Sequence, residues 1–266
     1  FQSEQSIVSG ERAAEEIPYQ WQQAKEWKIL QTALTSQKMV IAILEHCSQQ
    51  ELLAYWLALE ENIKTDIETQ YEKAWNKWKL KETEEQTGEI AQKLAEFLDF
   101  SGRYSKSAET LFKLNLNAQK RIHGSLSLEV AKCKTSIGLH LINKGNYELA
   151  KEYLLESYAY KDAHLGVHTE SLIDVAALGI VYARTNMPEL AESMLIKDVD
   201  QTKILCGEES IEFATSCNNL GVFLRTEGRF EEAALHLQSA LTCRMQNLGP
   251  NSLKVANTLS NLGVLK

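Results

Sequence analysis

Few residues in this 266-residue chain stand at spacings that perform covalent chemistry. His164 and His168 are four apart, a metal-ligand spacing, but they straddle Gly166 and lack a third donor nearby. Glu60-Glu61, Glu84-Glu85 and Glu231-Glu232 are carboxylate pairs. General acid–base work needs a pocket and a shifted pKa, and these pairs read as solvated helix surface. Cys47, Cys133, Cys206, Cys217 and Cys243 form no metal motif, and their odd number fits reduced thiols in a cytoplasmic protein. They read as small buried hydrophobes. The chain has no Gly-x4-Gly-Lys-Ser/Thr phosphate loop and no Gly-x-Ser-x-Gly elbow. The expectation is therefore a protein without catalytic residues, metal or cofactor.

What does recur is a set of amides and apolar residues around four glycines. Ser136, Leu139 and Asn143 stand two before, one after and five after Gly138. The same offsets give Ala177, Ile180 and Arg184 around Gly179, and Asn219, Val222 and Thr226 around Gly221. Around Gly263 they give Asn261 and Val264. Offsets of three and four place each set on one helix face. Leu139, Ile180, Val222 and Val264 then form an apolar ladder flanked by Asn219 and Asn261, whose amides donate and accept at once. Two readings stand: the face meets a guest, or the asparagines brace neighbouring helices and the ladder packs internally.

The elements that position these residues follow from the glycine spacing. Gly138, Gly179, Gly221 and Gly263 are separated by 41, 42 and 42 residues, and Gly124, Gly166, Gly207 and Gly249 by 42, 41 and 42. Such a period signals a repeat array of helix pairs. The first glycines lie inside helices, where each costs roughly 1 kcal/mol against alanine; a close helix crossing accounts for them. Gly145 and Gly228 follow the first helix of a pair, where positive φ ends it cheaply. Ala150, Ala191 and Ala233 fill the matching small slot on the second helix. First helices are expected near residues 88–101, 128–143, 170–184, 211–226 and 253–266, and second helices near 105–121, 147–163, 188–204 and 230–246. Ser127, Ser210 and Ser252 are N-caps by position; in the remaining repeat either Thr169 or His168 starts the helix. Asn186-Met187-Pro188 replaces the usual turn, with Asn186 suited to the left-handed region and Pro188 to a first helical turn.

The pattern Leu-Gly, then Gly-x-aromatic-x-x-Ala, resembles the tetratricopeptide repeat. Ile137-Gly138 with Gly145-Asn146-Tyr147 and Ala150 carries it, as does Leu220-Gly221 with Gly228-Arg229-Phe230 and Ala233. The 42-residue period, against 34 for the ordinary repeat, is similar to the kinesin-light-chain and nephrocystin kind. The resemblance implies an all-α, right-handed α-solenoid with first helices lining a concave groove, and it places the face described above along that groove. An asparagine two before the in-helix glycine contacts a bound peptide backbone in kinesin-light-chain-like repeats. Here that slot holds Lys93, Ser136 and Ala177 before Asn219 and Asn261. The implied partner is a protein or peptide ligand.

Composition changes near residue 88. All five tryptophans precede it, while eleven of thirteen glycines lie from Gly102 onward. The expected organisation is a helical preamble over 1–87 and about four and a half repeats over 88–266, the first divergent, with Ala95 in the glycine slot and Ser107 in the alanine slot. An irregular end is expected over Phe1–Gly10. One helical region with an apolar face shared by Tyr19, Ala24, Trp27 and Leu30–Leu34 follows and continues over Met39–Leu44, then come helices over Glu51–Leu57 and Thr69–Leu80, with the tryptophans as core anchors. Lys79–Gln86 reads as a solvated connection. Glu16-Ile17-Pro18-Tyr19, Ala24, Trp27, Leu30 and Glu51-Leu52-Leu53-Ala54-Tyr55-Trp56 resemble a helical segment of NACHT-type signal-transduction ATPases. That resemblance implies an alternative in which the repeats are the sensor or oligomerisation arm of such an ATPase, acting through intramolecular contacts.

The net charge of −8 disfavours nucleic acid and anionic membrane as main partners. No apolar run reaches the 18 or so residues that span a bilayer. The chain starts at Phe1 rather than methionine and stops one helix into a fifth repeat, so a fragment of a longer protein is expected. The final helix would lack its partner and offer its apolar side for self-association.

Overall fold

The computed structural model describes residues 10–80, 82–102 and 105–264. Residues 1–9, where an irregular end was expected, lie outside that set. The described residues form fourteen helices and no strand. They fall into two compact units, Phe1–Gly124 and Ser125–Lys266.

The first unit holds α1 (Gly10–Gln23), α2 (Trp27–Leu34), α3 (Gln37–His46), α4 (Gln49–Ile63), α5 (Ile67–Trp78), α6 (Glu84–Phe100) and α7 (Ser105–His123). Leu30, Leu34, Val40, Ile43, Leu52 and Leu59 bury the inner faces of α2–α4. Tyr19 is 55% exposed, so the expected single face from Tyr19 through Leu34 does not form. The reason is local: α1 ends at Gln23 and Lys25 takes a left-handed φ of 57°, so α2 starts in a new direction. An aromatic cluster joins α4, α5 and α6. Trp56 donates its Nε1–H to the Tyr71 hydroxyl at 2.9 Å, and Tyr71 meets Phe97 edge-on at 6.1 Å between centroids. The expected solvated connection over Lys79–Gln86 is shorter than read, because Thr83 caps α6 in a reciprocal capping box with Gln86. Lys93 of α6 pairs with Glu45 of α3, and Ser107 of α7 donates to Glu68 of α5. These contacts place the α6–α7 pair with the helices before it, whereas the change in sequence type falls near residue 88.

The second unit contains α8 (Leu128–Asn143), α9 (Tyr147–Leu165), α10 (Thr169–Arg184), α11 (Pro188–Cys206), α12 (Ile211–Thr226), α13 (Phe230–Leu248) and α14 (Leu253–Gly263). α8, α10 and α12 each pair with the helix that follows, and α9, α11 and α13 each pack on the next first helix, giving a solenoid of helix pairs. Ser127, Ser210 and Ser252 cap α8, α12 and α14 through their side chains. For α10 the cap is His168: its Nδ1 accepts from the Glu170 amide, and the Ser171 hydroxyl accepts from the His168 amide. Gly145, Asn186 and Gly228 end the first helices at positive φ, and Pro188 opens α11.

The in-helix glycines sit where the paired helix comes closest. A Cβ built on Gly138 would lie 2.6 Å from the Leu154 side chain; on Gly179, 2.8 Å from Leu195; on Gly221, 2.7 Å from Leu237. Each leucine is a knob filling the glycine slot, and Ala150, Ala191 and Ala233 are fully buried beside it.

Beside these equivalent apolar contacts, each layer buries a different polar set. Lys161 of α9 pairs with Asp174 of α10 at 2.9 Å, both buried, with Thr135 and Ser157 bonded to the same carboxylate. Asp198 of α11 is buried beside Thr202 and Ser216, which carry hydroxyls but no positive charge, and its Oδ2 has no hydrogen-bond partner. Arg244 of α13 is buried with neutral acceptors: Thr258 Oγ1 at 2.6 Å, the Lys254 carbonyl at 3.2 Å and Asn218 Oδ1 at 3.4 Å.

Candidate protein-interaction face

The face anticipated from the glycine offsets lies on α8, α10, α12 and α14. The first three neighbour one another in order. Leu139 is 38% exposed, Ile180 and Val222 are half-buried, and Val264 is exposed. Asn143, Arg184 and Thr226 stand exposed in the last turns of α8, α10 and α12. Ser136, Asn219 and Asn261 are half-buried, while Ala177 is buried, so the row two before the glycine lies deeper in α10 than in the other helices.

A further row belongs to the same stripe and escaped the sequence reading. Lys132, Ile173, Thr215 and Asn257 stand six before the glycines, four residues ahead of the Ser136 row and therefore directly above it on the helix. Ile173 is 51% exposed, and Lys132 and Asn257 are exposed as well. Each helix thus carries one stripe at spacings of four, three and four; on α10 it reads Ile173, Ala177, Ile180, Arg184. The signal was present in the period itself, since a helical stripe extends in both directions from any residue on it.

Two stripe residues make polar contacts to a neighbouring helix. Lys132 of α8 pairs with Glu170 of α10 at 3.0 Å. Asn261 donates to Asn218 Oδ1 at 3.3 Å, joining α14 to α12 in the way the bracing alternative anticipated. Among the described residues no hydrogen bond reaches the Asn219 side chain, nor the Arg184 guanidinium.

The Cys133 and Cys217 thiols are buried in the second unit. Burial pushes the Cys133 thiol up to about 11 and the Cys217 thiol up to about 12, which keeps both protonated. No disulfide joins any of the five cysteines. No group of three His, Cys, Asp or Glu side chains among the described residues is arranged to hold a metal. In the first unit a cleft of about 750 Å³ lies between α5, α6 and α7, with Trp75, Leu94 and Leu111 in its walls and charges of both signs from Glu68, Glu72, Lys79 and Lys106. Of the residues that carry the NACHT resemblance, Leu30, Leu52, Tyr55 and Trp56 are core packing in this unit. No described helix is long and apolar enough to cross a membrane.

Residues 213–253, which run from α12 through α13, match the tetratricopeptide-repeat family profile. No curated protein matches the chain. Among solved structures, a Rap protein complexed with Competence and Sporulation Factor superposes with a TM-score of 0.61 at 12% identity, over 91% of this chain and 69% of that one. BtubC (BKLC) from P. vanneervenii gives 0.58 at 19% identity, over 66% and 70%. A variant of the putative kinesin light chain of Podosopora anserina, with nearly identical TPR-like repeats, gives 0.54 at 15% identity, over 90% and 98%. The chain therefore has a tetratricopeptide-like all-α fold, and one of its repeats carries the family's sequence signature.

Proposed function

We propose that the second unit is a protein-interaction scaffold and that its stripes on α8, α10 and α12 hold a peptide or helix from a partner protein. One observation carries this reading. Three neighbouring helices present the same four-row stripe, and Leu139, Ile173, Ile180 and Val222 on it remain partly open to water. Covering Leu139, Ile173, Ile180 and Val222 would recover roughly 25 cal/mol for each Å² of apolar surface removed from water. Asn219 and Arg184 supply polar groups that no neighbour engages among the described residues, an amide for backbone contact and a guanidinium for an acidic group. The Rap structure, with Competence and Sporulation Factor bound, supports a peptide as the class of guest for this fold.

The test is capture from cell extract by the immobilised chain, compared between two double variants. Ile173→Glu with Ile180→Glu should abolish capture, while Leu155→Glu with Ile196→Glu, on exposed positions of the second helices α9 and α11, should not. Equal capture by both would refute the assignment of the face.

A further inference from the structure

The cleft between α5, α6 and α7 belongs neither to the packing of the solenoid nor to the stripes of the second unit. Leu94 and Leu98 of α6 and Leu111 of α7 line it, and all its walls lie between Glu68 and Leu114, in the interior of the sequence. Aromatic rings hold α5 away from its neighbours: Tyr71 meets Trp56, Trp78 and Phe97 edge-on, with centroids 5.1, 6.3 and 6.1 Å apart. In the second unit the seams between successive second helices are bridged by side chains. Lys197 of α11 lies 5.0 Å over the Tyr158 ring of α9, and Arg229 at the start of α13 pairs with Glu192 of α11. Among the described residues one hydrogen bond crosses from α7 to α5, Ser107 to Glu68, in the first turn of both helices. Beyond it the seam stays open to about 750 Å³, within the range of small-molecule sites.

The charges along this cleft are ordered. Glu68, Glu72, Trp75 and Lys79 follow at spacings of four, three and four, so they share one face of α5, and all four line the cleft. Lys106 of α7 stands beside Ser107 at the Glu68 end. That end holds two carboxylates and one ammonium, and the Lys79 end an ammonium alone. Half-buried Trp75 and the three leucines lie between the ends. Among the described residues no ion pair engages Glu72, Lys79 or Lys106. Seven residues separate Glu72 from Lys79, about 10 Å along the helix axis.

We propose that the cleft binds a short apolar peptide with free ends, its ammonium group at Glu72 and its carboxylate at Lys79. Three extended residues span about 10 Å, which matches the separation of the two charges. Their side chains would cover Trp75 and the leucines, and their backbone amides would meet Asn76 and Thr110, exposed polar residues of the same lining. A simple anion gains nothing at Glu72 and a simple cation nothing at Lys79, whereas a dipolar ligand gains at both. The site shares no residue with the stripes of α8, α10 and α12, so either reading can fail without the other.

Isothermal titration calorimetry of the 266-residue chain with the tripeptide Leu-Ala-Leu, up to about 5 mM, tests it. The expected result is saturable binding, weakened at least about tenfold when the peptide is acetylated at its amino end or amidated at its carboxyl end. Glu72→Gln and Lys79→Gln remove charge but little volume, and each should weaken the free peptide by a similar factor. Glu72→Gln should not weaken the acetylated peptide further, because the charge it would have met is already gone. Thr110→Trp, which fills the mouth from an exposed position, should abolish binding, while Lys28→Gln on α2 should leave it unchanged. Hydrogen exchange locates the ligand: α5 and α7 amides should slow with peptide while those of α8 to α13 do not. No saturable binding in that range, equal affinity for free and blocked peptides, or slowed exchange only in the second unit would each overturn the proposal.

Discussion

Asp198 offers the sharpest test of how the layers are held together. Its carboxyl is buried between α11 and α12 with hydroxyls but no cation. Burial pushes its pKa up from 3.8 to about 6, against the opposing pull of the Ser216 and Thr202 hydroxyls. The folded chain therefore holds this proton up to about pH 6, where an unfolded chain has already released it. Stability contributed by the group is complete below pH 3.8, declines as pH rises, and is lost above about 6. A displacement of about two pKa units corresponds to about 3 kcal/mol across that window. Asp198→Asn removes the titration. The stability difference between this variant and the unsubstituted chain should shift in favour of the variant by about 3 kcal/mol from about pH 3 to pH 7, whatever the background pH dependence. All five tryptophans lie in the first unit, so their fluorescence is blind to this event and serves as the control. The informative readout is hydrogen exchange of α11 and α12 amides at each pH. A difference that stays flat with pH, or moves the other way, would refute the account of an uncompensated carboxyl.

Other layers give independent expectations. Lys161→Met leaves Asp174 buried without its counter-charge and should cost about 3–5 kcal/mol, while adding Asp174→Leu should recover most of that loss in chemical denaturation. Gly179→Leu drives a side chain into Leu195 and should destabilise the second unit by about 1–3 kcal/mol beyond any gain in helix propensity, seen as earlier exchange of α10 and α11. Ser210→Ala removes the bond to the Phe213 amide and should cost about 1 kcal/mol, read as fraying at the start of α12.

The repeat frame was legible in the sequence because its markers have one physical cause each. A glycine under a leucine knob, a glycine or Asn186 at positive φ, and a serine at an N-cap cannot be moved without cost, so their spacing reports the helix boundaries. The second helices run two residues beyond the limits read from sequence, to His123, Leu165, Cys206 and Leu248, because loop glycines at positive φ stop them only after the last apolar turn. The choice between His168 and Thr169 was not legible, since a histidine cap depends on the ring nitrogen reaching an amide. The buried Lys161–Asp174 pair was missed because charged residues read as surface. Its trace is positional: Ala150, Leu154, Ser157 and Lys161 follow the four-three-four spacing of one buried stripe. The first unit was least legible, because without a period nothing distinguishes the break after Gln23 from a continuing helix.

The different polar groups between otherwise equivalent pairs have a consequence for assembly of the array. Leucine knobs and glycine slots recur without distinction, so hydrophobic packing alone would let a helix pair dock one step out of order. Such a slip would set Lys161 opposite Ser216 in place of Asp174, stranding an ammonium group with no anion to meet it. Pairing with Asp174 therefore disfavours that slip and biases a refolding chain toward the correct order of stacking at this layer.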